Sequence, residues 1–111
     1  MTVDINNIVD LDYKRKPVRV QLGGEIIELP SRSAVLIERL INAEERYKNA
    51  KSPIERAELL KECIGVIIGD HVNNVFPDAE TTDIDYMRSV YDTLITCLNK
   101  KTEEIINAEY L

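Results

Sequence analysis

Reactive side chains are scarce in this chain: one histidine, two cysteines and a loose run of acids carry whatever chemistry it could perform. His71 is the only histidine. Any Ser-His-Asp or Cys-His arrangement would have to use it as its base. It follows an apolar helical run that closes at Gly69, where a cationic side chain suits the helix dipole, so a structural role is expected. Cys63 and Cys97 stand 34 positions apart. With one histidine they do not make the paired ligand spacings of a zinc site. Both fall in helical patterns and are expected to be free, buried thiols in a reducing compartment, since small secreted domains use denser disulfide frameworks.

Asp78, Glu80, Asp83 and Asp85 form an acidic cluster. A calcium loop of the EF-hand type requires glycine at its sixth position and glutamate at its twelfth. Counted from Asp78, those positions hold Asp83 and Ser89, so the motif fails and the acids are expected to cap and charge a helix start. Gly23-Gly24 lies between two strand-like runs and so cannot serve as the phosphate-cradling link between a strand and a helix. Lys14, Arg15, Lys16 and Arg19 make a small basic patch, but nucleic-acid binding calls for a basic domain with stacking aromatics. The chain carries a net charge of −6 and only Tyr13 lies nearby. A solvated strand edge is the expected role, and neither catalysis, a cofactor nor a nucleic-acid partner is expected.

The elements that would position these residues are legible from periodicity. Residues 1–13 alternate weakly (Val9, Leu11 and Tyr13 against Asp10 and Asp12) and are expected to form a flexible arm or an edge strand. Residues 14–111 are expected to form a single α+β domain, mainly α. It opens with a hairpin: Val18, Val20 and Leu22 alternate with polar residues, Gly23-Gly24 follows, and Glu25–Leu29 is again β-prone. Glycine supplies the positive φ that a two-residue hairpin turn demands.

Three main helices follow, over about 33–50, 53–68 and 83–107. In the first, with Ser31 or Ser33 as cap, Leu36, Ile37, Leu40, Ile41 and Tyr47 share one apolar face. The second starts at Ser52-Pro53-Ile54-Glu55, with serine as cap, proline at the first helical position and glutamate three residues after the cap. Ile54, Ala57 and Leu60 are expected on its buried face. Its end, from Cys63 to Ile68, is apolar all round. Gly65 in its interior costs about 1 kcal/mol relative to alanine, which a close neighbouring backbone within the chain would offset. Residues 69–82 form a polar linker in which Val72, Val75 and Phe76 suit one helical turn. The last helix opens at Thr82 or Asp83 and carries Ile84, Met87, Tyr91, Leu94, Leu98 and Ile105 at a 3–4 spacing, interrupted by Lys101.

The composition is 44% hydrophobic and 31% charged, with no tryptophan and one phenylalanine, so Ile, Leu and Val must build the core. The longest apolar stretch, Ile64–Ile68, is far short of the ~20 residues of a membrane span, and the start lacks the basic, then apolar pattern of a signal peptide. A cytoplasmic protein without a membrane partner is expected. Charge is uneven: −3 over residues 1–13, +4 over 14–61 (eleven Lys/Arg against seven Asp/Glu) and −7 over 62–111 (three against ten). Opposite fields of this kind steer association, and self-association is expected.

A hairpin, helices, the segment I-G-V-I-I-G at 64–69, a polar linker and the run D-I-D-Y-M-R-S-V-Y-D-T-L at 83–94 together resemble the tail assembly chaperones of long-tailed phages and of prophages of Gram-positive bacteria. The resemblance spans roughly residues 18–105. It implies a protein of the host cytoplasm that binds the long, helical tape measure protein until tail tube subunits polymerise around it, and that self-associates. The alternatives are a structural head–tail connector or tail completion protein, and a small helical adaptor. A chaperone of this type needs an apolar groove for an amphipathic helix. The expected lining is Ile64, Ile67 and Ile68 with Leu94, Ile95 and Leu98. Val75 and Phe76 of the linker are expected to cover it as a lid.

Overall fold

A computed structural model describes residues 18–110 of the 111, with side-chain environments for 18–99. The segment 1–13 and its expected arm or edge strand lie outside the described residues. The chain is mainly α with a small β part, as expected. Strands β1 (Arg19–Leu22) and β2 (Glu25–Glu28) precede helices α1 (Ala34–Lys48), α2 (Pro53–Ile68), α3 (His71–Val75) and α4 (Ile84–Tyr110). The last helix runs three residues beyond its expected end.

The hairpin is antiparallel, with Val20 opposite Ile27 and Arg19 opposite Glu28. Gly23 and Gly24 both have positive φ, 59° and 80°, the pairing of a type I′ turn. Gly23 also lies against α3: a Cβ there would meet Val75 Cγ2 at 3.3 Å. Alternation puts Val20, Leu22, Ile27 and Leu29 on the face turned to the helices, and Arg19, Gln21, Ile26 and Glu28 on the other. Two strands alone are marginal, and the helices supply the missing support. Glu25 reaches across to α3, accepting hydrogen bonds from His71 Nδ1 (3.0 Å) and Asn74 Nδ2 (3.1 Å). His71 therefore opens a short helix and clasps it to β2, rather than only answering the dipole of α2.

Side-chain oxygens close the helix starts. Ser33 Oγ accepts from the Leu36 amide at 3.1 Å and Ser52 Oγ from the Glu55 amide at 3.1 Å. Asp83 Oδ1 accepts from the amides of Asp85 (2.9 Å) and Tyr86 (3.1 Å). Each satisfies a donor that the helix leaves without a partner. Asp78 Oδ1 takes the Glu80 amide at 3.0 Å, so two of the four clustered acids have local backbone duties.

α2 is the central element and packs on α1, α3 and α4. Its Leu60, Cys63, Ile64, Ile67 and Ile68 are buried, as are Met87, Tyr91, Leu94 and Leu98 of α4. Gly65 admits α3, because a Cβ there would meet Val72 Cγ1 at 3.3 Å. The close neighbour is thus a side chain of the same chain, not a backbone. Ile54 stands apart from Ala57 and Leu60: it is 55% exposed at the helix start. No helix among the described residues is long and apolar enough to cross a membrane.

Candidate functional site

The groove expected from the sequence is the core of the molecule. Ile64, Ile67, Ile68, Leu94 and Leu98 are buried, and Val75 and Ile95 are half-covered. These side chains fill the space where α2, α3 and α4 meet, so they are spent on one another. Phe76 is not a lid either. It is 1% exposed and meets the Tyr86 ring edge-on at 5.9 Å between centroids, a preferred aromatic geometry. Cys63 is buried and free, and burial pushes its thiol up to about 11 from 9.0. A thiol in that state is a poor nucleophile at neutral pH. Among the described residues no group of His, Cys, Asp and Glu is placed to hold a metal ion.

Large apolar side chains remain exposed at Ile26, Val35, Ile37, Ile41, Ile54 and Tyr86, and three of them lie on α1. The helix carries the doublets Leu36-Ile37 and Leu40-Ile41, and successive residues of a helix point about 100° apart. Leu36 turns into the core with Ala43, and Leu40 is half-covered. The second member of each doublet is left outside: Ile37 is 37% exposed and Ile41 58%. One turn apart, they border a shallow hollow of about 190 Å³ completed by Leu40, Ile95 and Leu98. Arg32, Glu44 and Asn99 form its polar rim.

Glu44 is held in place. The Tyr91 hydroxyl donates to its Oε1, linking α4 to α1 beside the hollow. Burial and that bond both raise the Tyr91 phenol well above its ordinary value of 10.0, so the donor keeps its proton at neutral pH. Further along α1, the Arg88 guanidinium of α4 lies 5.7 Å from the Tyr47 ring centre. It also donates to the Tyr47 hydroxyl at 3.3 Å and to Asp92 at 3.2 Å. The α1–α4 contact is therefore fastened at two points along its length.

A hollow of this size falls below the roughly 300–1,000 Å³ of small-molecule sites. It suits an aliphatic side chain of a docking helix, seated beside Ile37 and Ile41. A wider trough of about 630 Å³ lies between Arg39, Arg46 and Lys61 and the carboxylates of Glu58, Glu62 and Asp70. Within it Arg46 is ion-paired with Glu62. Ile95 and Leu98 are the two expected groove residues that border the α1–α4 hollow. Ile37 and Ile41 were missed as site residues, although doublets too wide for one partner helix to bury were the available signal.

The fold is that of a mainly α chain with an N-terminal hairpin, and an apolar hollow lies between α1 and α4. No family model, no curated protein and no solved structure matches it.

Proposed function

We propose that this chain is a helix-binding assembly chaperone of the phage tail type, whose client is the long helical tape measure protein. The observation that carries the reading is the pair Ile37 and Ile41: two large aliphatic side chains one turn apart, exposed, beside a hollow sized for an apolar side chain. An amphipathic client helix lays its own i and i+4 residues along such a row. The element order and the motifs at 64–69 and 83–94 that resemble tail assembly chaperones support the same client chemistry. In this reading the chain works in the host cytoplasm, binds rather than turns over its partner, and associates with further copies of itself.

The test is co-expression of the full chain with a helical tape measure fragment that aggregates when made alone. Ile41 is exposed, so Ile41→Asp is expected to leave the fold intact. Burying one isoleucine contributes roughly 1.5–3 kcal/mol, so the substitution should weaken binding on the order of ten- to a hundredfold and return the fragment to the pellet. Ile41→Leu should keep it soluble. Equal recovery of soluble fragment with Ile41→Asp and wild type would overturn the proposal.

A further inference from the structure

The bare face of α1 has a sign as well as an apolar row. Successive helix residues turn by about 100°, which sets Glu38, Glu44 and Glu45 within about 60° of Ile41 around the axis and within about a turn along it. Glu38 and Glu45 are exposed, and Glu44 is half-buried on the rim of the α1–α4 hollow. The same rotation puts Arg39 and Arg46 about 140–160° away from Ile41, on the side that lines the trough with α2, where Arg46 pairs with Glu62. Arg88 of α4 is engaged with Asp92 and the Tyr47 hydroxyl. The ion pairs among the described residues are Arg46–Glu62, His71–Glu25 and Arg88–Asp92, and none of them uses the three acids. The described cations of this face stand at its two ends: Arg32 on the rim before the helix and Lys48 in its last turn. The middle, around Ile41, is acidic.

We infer that the helix docking on Ile37 and Ile41 is a basic amphipathic one, with Lys or Arg flanking its aliphatic i, i+4 pair, a conclusion that rests on the helix-binding reading of this face. The division of labour is physical. Two isoleucines supply apolar burial that any amphipathic helix could use. Rim charges add little to affinity but choose among partners and steer their approach. A helix with acids beside its aliphatic pair would bring like charges against Glu38, Glu44 and Glu45, and repulsion of this kind is how an interface rejects a wrong partner. A second copy docking by this same face would likewise add three more acids to the contact. Glu44 is the fixed member of the three, because the Tyr91 hydroxyl holds its Oε1. Glu38 and Glu45 flank Ile41 at three residues before and four after it, so a long Lys or Arg side chain can lay its methylenes along the isoleucine and reach a carboxylate with its charged end.

Fluorescence anisotropy of two labelled peptides against the full chain tests it. Both probes are alanine-based amphipathic helices with a leucine pair at i and i+4; one carries lysine and the other glutamate at the positions flanking the pair. At low salt the lysine peptide should bind about tenfold more tightly, and the gap should close at high ionic strength. The double variant Glu38→Lys, Glu45→Lys, at two exposed positions, should invert the preference. Ile41→Asp should release the lysine peptide from the wild-type background. Equal affinity for the two peptides, with binding still lost in Ile41→Asp, would overturn the basic partner and leave the helix-binding face standing. Binding of neither peptide, or binding indifferent to Ile41→Asp, would overturn both. A concentration-dependent dimer that Ile41→Asp dissolves would give the face to a second copy and overturn the inference as well.

Discussion

The Tyr91 hydroxyl donates to Glu44 Oε1 and, together with the bond from Arg88 to the Tyr47 hydroxyl, joins the long last helix to the helix that carries the exposed isoleucines. Tyr91 is buried and Glu44 is half-buried, so the bond lies between core and rim. Tyr91→Phe keeps the ring and leaves the carboxylate without its donor. A bond to a charged acceptor contributes roughly 1.5–3 kcal/mol, and partial exposure of Glu44 puts the expected loss near the lower end. Urea denaturation should show a lower midpoint with an unchanged slope, because the surface exposed on unfolding is the same.

The same residue predicts a response to alkali. Its folded-state phenol is raised above 10.0 by burial and by the Glu44 bond. A raised folded value means that the stabilisation is fully present below the unfolded value and is lost as pH climbs above it. Cys63, raised from 9.0 to about 11 chiefly by burial, acts in the same direction. Wild type should lose stability progressively from about pH 9 upward, and Tyr91→Phe should flatten the part of that decline above about pH 10. Thermal melts of the two proteins across this range measure it; parallel declines would refute the assignment to Tyr91.

Phe76 is the only phenylalanine and is 1% exposed, against Tyr86. Phe76→Ala removes a core ring and leaves a cavity, which costs about 3–5 kcal/mol. A loss of that size is a large share of the stability of a small domain. Phe76→Leu should recover most of it. Client binding per folded molecule should be unchanged by Phe76→Leu, because the ring lies away from the α1–α4 hollow; a selective loss of binding would restore the lid that the sequence suggested.

Glu58 of α2 and Glu80 of the linker before α4 meet as two carboxylates. The hydrogen bond from one to the other, and then their mutual repulsion, raise Glu80 above the ordinary carboxylate value. The raised folded value makes this contact stabilising at acid pH and progressively less so as pH rises through it. Glu80→Gln supplies a permanent donor and removes one charge. It is expected to raise the melting temperature at neutral pH, with the difference shrinking as pH falls through the carboxylate range. An advantage that persists unchanged under acid would assign the effect to something other than this pair.

Local signals in the sequence determined most of the elements. Two adjacent glycines between alternating runs set the hairpin and its turn. Ser52 marked one helix start, and Ser31 or Ser33 and Thr82 or Asp83 bracketed two others, because a short side-chain oxygen satisfies free amides one turn ahead, a relation confined to a few consecutive residues; the structure chose Ser33 and Asp83. The 3–4 spacing from Met87 to Leu98 identified an apolar seam on the last helix. What periodicity could not say is where each apolar face goes. The face of Ile64, Ile67, Ile68, Leu94 and Leu98 looks the same whether it meets the chain's own helices or a client. Only the tertiary arrangement seated it in the core and left Ile37 and Ile41 outside. The reason is geometric: α1 presents an apolar arc wider than its contacts within the chain can cover, and which edge stays bare depends on the angle at which helices pack. The partners of His71 and Tyr91, Glu25 and Glu44, are 46 and 47 residues away in the chain, so their pairing exists only once the fold brings distant elements together.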